Sequence, residues 1–179
     1  MTRTALLCSA SALMFCATSA TLAAERAKPA THFSGTVHRI IAAVPGAVTL
    51  YDQNSDDKGK AILSTDFDDY DSWDSYGADD FTIPTGHKWR IREIEVSGSY
   101  SCRDCGGAAS ESVFFYRDRK SQPGKLIAKC EAVEGTDSQG SFAIKIPKQC
   151  KIILKGGKRY WISVSAAMEF HPDGYWGWE

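Results

Sequence analysis

Apolar side chains along this chain come in short runs, many of period two, cut apart by glycine and proline. The runs lie at 36–44, 48–51, 80–83, 88–97, 112–117, 125–132, 141–146, 151–154 and 159–166. Pro45-Gly46, Pro84-Thr85-Gly86, Gly106-Gly107, Pro123-Gly124, Gly135 and Gly156-Gly157 stand between them as turn residues. Phe142-Ala143-Ile144-Lys145-Ile146 and Tyr160-Trp161-Ile162-Ser163-Val164 alternate plainly, as strands with one buried face do. Over 89–96 the parity slips, because Ile94 and Val96 fall opposite to Trp89 and Ile91; a bulge, or a strand apolar on both faces, is expected there. No stretch repeats an apolar residue at i, i+3, i+4 and i+7, and Pro123-Gly124 would break a helix across 116–129. The pattern predicts an all-β chain with little helix, a single antiparallel β-sandwich of jelly-roll type over residues 36–179.

The first residues follow another rule. A short positive start at Arg3 leads into the apolar run 5–22, which ends in Thr21-Leu22-Ala23-Ala24. The run is at the short limit for a membrane anchor and rich in Ala, Ser and Thr, and its small residues offer a cleavage point. Residues 1–24 are therefore read as a signal peptide, and 25–35, which lack any period, as a flexible lead-in. The mature chain is then expected in the periplasm or outside the cell, with no membrane span. Its net charge moves from -1 to -2 with the loss of Arg3. So near-neutral a total argues against a general nucleic-acid binder.

Export decides how the cysteines are read. Cys8 and Cys16 leave with the signal, and Cys102, Cys105, Cys130 and Cys150 remain, an even number in an oxidising compartment. Three pairings are possible; a small loop Cys102–Cys105 and a longer link Cys130–Cys150 are preferred. A zinc site would want a second CxxC knuckle, and a thioredoxin-like site would want a helix after Cys105 where glycines stand.

Charge is unevenly spread. Ten aspartates and two lysines occupy 49–80, whereas 145–159 holds six basic residues and no acidic one. The first segment is a candidate calcium region. Asp52-x-Asn54-x-Asp56 has the spacing with which a loop offers successive oxygens, and Asp66 and Asp68 could add theirs. It is no EF-hand, since Asp57 stands at the glycine position and Leu63 at that of the bidentate glutamate. The plainer reading of these aspartates is turn-capping and solvation. The basic segment is a candidate strip for an anionic ligand.

Several fragments occur in a telling order: Leu50-Tyr51-Asp52, Ser64-Thr65-Asp66-Phe67, Ala78-Asp79-Asp80-Phe81, Trp89-x-Ile91, Phe114-Phe115-Tyr116-Arg117-Asp118, Pro123-Gly124 and Tyr160-Trp161-Ile162-Ser163-Val164. Together they resemble a module of secreted and cell-surface bacterial proteins, in which an ADDF segment precedes a β-sandwich. The resemblance implies a jelly-roll-like, non-catalytic extracellular domain and carries over no catalytic residue. Such modules continue beyond the aromatic motif that stands here as Tyr175-Trp176-Gly177-Trp178. That departure implies a missing last strand and an open edge near 175–178.

Aromatic residues supply the other candidate chemistry. Sugar-binding modules stack pyranose rings on exposed Trp and Tyr. Trp73, Tyr76, Tyr175 and Trp176, flanked by Asp, Ser and Gly, are the expected platforms, while Trp89 and one face of Tyr160-Trp161 are assigned to the core. Asp79-Asp80 are expected to fix a turn ahead of Phe81. Catalysis finds little support: the four histidines are scattered, and no GxSxG elbow or phosphate loop is present. The expectation is a secreted non-catalytic binding module for a glycan or cell-envelope polymer, with calcium as its candidate support and no other cofactor. The alternatives are an assembly protein pairing with a protein partner through its terminal edge and, more distantly, a secreted glycan hydrolase.

Overall fold

The computed structural model describes residues 31–32, 39–41, 48–53, 61–102, 104 and 106–179. The segment 1–24 expected to be a signal peptide, and most of the expected lead-in 25–35, lie outside them. Strands follow one another as β1 (Thr31–His32), β2 (Arg39–Ile41), β3 (Thr49–Asp52), β4 (Ile62–Leu63), β5 (Thr65–Phe67), β6 (Gly77–Ile83), β7 (Lys88–Arg90) and β8 (Glu93–Val96). Then come β9 (Gly98–Tyr100), β10 (Ser110–Asp118), β11 (Pro123–Val133), β12 (Thr136–Ser138), β13 (Ser141–Lys145), β14 (Ile153–Lys155), β15 (Lys158–Met168) and β16 (Trp176–Trp178). Among the described residues helix is confined to 3-10 turns at Asp71–Trp73 and Lys148–Cys150 and a short helical turn, α1, at Phe170–Asp173. The fold is all-β. No helix among the described residues is long and apolar enough to cross a membrane.

The strands form four sheets. One runs β1-β6-β15-β10-β11, with β5 also on β15, and a second runs β12-β13-β8-β2-β3. Two smaller ones are β14-β7 and β4-β16-β9. Pairing is antiparallel except for two short parallel contacts, β1 on β6 and β5 on β15. The second has a local cause. β6 accompanies β15 only along Lys158–Ile162, and β5 takes over at Ala166–Met168. Ser64 fills the gap between them: its hydroxyl donates to the Val164 carbonyl at 2.5 Å and accepts from the Gly77 amide at 3.0 Å.

The parity slip of 89–96 is a change of sheet. β7 pairs with β14, the chain turns through Ile91-Arg92, and β8 pairs with β13 and β2. Trp89, Ile91, Ile94 and Val96 are all buried, because the break resets the alternation. Asp79 and Asp80 likewise lie inside β6 and not in a turn before it; Asp79 is buried, and its carboxylate accepts from the Asp80 amide at 2.8 Å.

One apolar cluster joins the sheets. Phe81 and Ile83 of β6, Val113 and Phe115 of β10, and Ile162 and Val164 of β15 meet Ile94 of β8 and Phe142 and Ile144 of β13. Each such side chain, fully withdrawn from water, contributes about 1.5–3 kcal/mol. The Phe81 and Trp89 rings lie parallel, with centroids 6.2 Å apart. Cys130 of β11 and Cys150 are joined in a disulfide, as preferred from the sequence. A link that closes a loop of such length adds about 3 kcal/mol. Cys102 is also disulfide-bonded, and Cys105 lies outside the described residues.

The terminal aromatic motif corrects two expectations. β16 is bonded on both sides, to β4 and β9, so no open edge stands at 176–178. Trp176 is wholly buried instead of forming a platform. Its ring packs against Phe142 at 5.1 Å, and its Nε1 donates to the Gly140 carbonyl at 2.7 Å. Its backbone is held by Thr65, whose hydroxyl accepts from the Trp176 amide and donates to its carbonyl, both at 2.9 Å. The close approach needs glycine at 98, where a Cβ would sit 2.4 Å from the indole.

Candidate functional site

An aromatic group stands on the surface where the turn at Asp71–Trp73 meets α1. Trp73 is 55% exposed and Tyr70 42%, values that core packing does not explain. Both rings are held. Tyr70 and Trp73 stack with centroids 5.6 Å apart and an interplanar angle of 29°. Phe170 meets Trp73 edge-on at 5.2 Å and Tyr70 at 5.8 Å, and His171 lies against Phe170 at 4.6 Å. Phe67, buried, closes the base beneath Phe170 at 5.7 Å.

The segments come together through Asp69. Its two carboxylate oxygens accept from the amides of Phe170 at 2.7 Å and His171 at 3.3 Å, across a sequence separation of about a hundred residues. Desolvation pushes the Asp69 carboxyl up, but those two amides, with the nearby His171, outweigh it and hold the pKa below the usual carboxylate range. Asp74 ties the other side of the loop, accepting from the Phe67 amide at 2.8 Å. Aspartates thus build a short stiff loop that presents two aromatic rings. Asp68 and Asp71 are exposed beside them. This surface suits a ligand with an apolar face and hydroxyl donors at its rim.

Of the four platforms expected from sequence, Trp73 and Tyr175 are exposed, Tyr175 at 44%. Tyr76 is buried like Trp176; its ring packs edge-on against Phe114 at 5.7 Å, and its hydroxyl bonds Asp66. Burial, then that carboxylate, push the Tyr76 phenol far up. Tyr76 follows the exposed turn by three residues and enters a covered face, which its polar neighbours in sequence do not reveal. Tyr70, Phe170 and His171 were missed; only the aromatic spacing within Asp69-Tyr70-Asp71-Ser72-Trp73 gave a signal.

The proposed calcium ligands are not assembled in the described part. Asn54 and Asp56 lie outside it. Asp52 ends β3 and Asp66 sits within β5, bonded by Tyr76, with Asp68 just beyond. Among the described residues no group of three or more His, Cys, Asp or Glu stands close enough to hold a metal ion. Glu111 is the one buried glutamate among those residues, and its carboxylate accepts from the Gly135 amide at 2.6 Å. Comparison of the chain with family models, curated proteins and solved structures finds no match in any of the three.

Proposed function

We propose that the mature chain is a secreted, non-catalytic β-sandwich module that binds a neutral glycan of a cell envelope or surface polymer. The exposed, buttressed pair Tyr70 and Trp73 carries the reading. A ring that is immobilised before binding loses little entropy when a sugar stacks on it. The neighbouring aspartates accept hydrogen bonds from hydroxyls and disfavour an anionic sugar. A disulfide between Cys130 and Cys150 is in keeping with export, as is the resemblance to bacterial surface modules. The assembly alternative rested on an open terminal edge, and β16 is paired on both sides. Asp69 and Asp74 of this site accept hydrogen bonds from backbone amides, which order the loop.

The test is titration of the mature protein with neutral β-linked tetrasaccharides of glucose and N-acetylglucosamine, followed by tryptophan emission and calorimetry. Saturable binding is expected, weakened at least tenfold in Trp73→Ala with little change in melting temperature. Binding that survives both Trp73→Ala and Tyr70→Ala, or no binding at millimolar sugar, would reject the proposal.

A further inference from the structure

A cleft of about 580 Å³ opens where the end of β10, the middle of β11 and the start of β15 face β14. Its volume falls within the roughly 300–1,000 Å³ of ligand sites. Five cations line it, Arg117, Lys151, Lys155, Lys158 and Arg159, against a single carboxylate, Asp118. Asp118 is occupied, since it accepts from the Trp161 indole at 3.0 Å. Arg159 is partly engaged, by Asp80 at 3.2 Å and the Ser121 hydroxyl at 3.2 Å. Among the described residues no carboxylate engages Arg117, Lys151, Lys155 or Lys158 in an ion pair. Like charges gathered in a concavity repel one another, and a bound anion relieves the repulsion.

The cleft is also rigid. The Tyr160 hydroxyl donates to the Lys155 carbonyl at 2.9 Å and accepts from the Lys155 amide at 3.2 Å, fixing one wall. The disulfide joins Cys130 of β11, the strand that supplies Ile127 and Ala128, to Cys150, which adjoins Lys151. Two walls are therefore cross-linked. Lys151 holds φ 42° and ψ 49°, a left-handed conformation that a lysine adopts at a cost. Ile153, 47% exposed, gives the cleft apolar surface between its cations.

We infer that this cleft is a second binding site, independent of the aromatic one, for an oligosaccharide that carries several sulfate, phosphate or carboxylate groups. Five cations spread over β10, β14, the start of β15 and the turn before β14 match repeated anions better than a lone phosphate. The exposed Ile153 side chain matches the carbon face of a sugar ring. Tyr160 is buried and cannot serve as a base-stacking platform, which disfavours single-stranded nucleic acid.

The experiment titrates a sulfated heparin hexasaccharide, its desulfated counterpart, an inorganic polyphosphate of equal charge and a short single-stranded DNA into the oxidised mature protein. The heparin hexasaccharide is expected to bind tightest and to weaken as sodium chloride rises. Lys155→Ala/Lys158→Ala should lose at least tenfold in affinity, whereas Lys125→Ala and Trp73→Ala should match the parent. Circular dichroism of each variant separates lost binding from lost fold. No binding of the hexasaccharide, an unaffected double variant, or equal binding of polyphosphate or DNA would overturn the inference. Failure of the neutral-glycan reading at Trp73 would leave this result untouched.

Discussion

Identical residue types meet opposite fates here, and the deciding partner is distant in sequence. Trp73 and Trp176 both stand among small and polar neighbours, yet one is exposed and the other is sealed under Phe142 and over Gly98. Local flanks report solvation only when the segments that cover a residue are also local. Glu111 is a second case: nothing around it in sequence marks it as buried. Burial pushes its carboxyl up; the Gly135 amide opposes this, and the Asp137 charge reinforces it. A raised native pKa means that the carboxyl favours folding most below its unfolded value, about 4.3, and that this contribution is lost as pH rises through the native value. Glu111→Gln keeps an acceptor for Gly135 and removes the ionisation. Its melting temperature should rise relative to the parent between acid and neutral pH, and the two should converge near pH 4. Parallel pH dependences in thermal melts of the two proteins would contradict the assignment.

At the level of elements, strand identity was more legible than strand partnership. The alternation over 141–146 and 160–164 reads directly as β13 and β15, because period two is a property of the strand itself. The parity slip along 88–97 marks a break but does not say that the chain leaves β14 for β13 there, and nothing along β15 announces two successive partners on one edge. Those facts belong to pairs of segments. The meeting of the Asp71–Trp73 turn with α1 is such a pairing, made through Asp69. Its depressed pKa keeps the tie intact above the ordinary carboxylate range and releases it as pH falls through the lowered value. In Asp69→Ala the two turns lose their common acceptor. Trp73 emission should shift to the red and acrylamide quenching should increase, with glycan binding weakened and the global melt little changed. An unaltered Trp73 environment would show that ring packing alone holds the cluster.

For the whole molecule, the all-β class followed from turn spacing, and cysteine arithmetic left three pairings, of which the preferred Cys130–Cys150 link is present. The calcium expectation rests on the spacing at 52–56, where Asn54 and Asp56 lie outside the described residues. With Asp66, Asp69 and Asp74 engaged by a phenol or by amides, the oxidised protein should melt at the same temperature in excess EDTA and in millimolar calcium. A calcium-specific rise of several degrees would return a site to the 52–56 segment, since occupancy at about 100 times the dissociation constant adds roughly 2.7 kcal/mol.

The placement of β16 bears on the order in which the molecule comes into being. Trp176–Trp178 slots between Ile62–Leu63 and Gly98–Tyr100, residues synthesised long before it. A chain that has reached only Gly174 holds an empty trough lined by Phe142 and Gly98, with the Thr65 hydroxyl unmet. This part of the core is therefore complete only when residues 176–178 are in place. A nascent or clipped chain lacking those few residues would thus present apolar surface to chaperones and proteases.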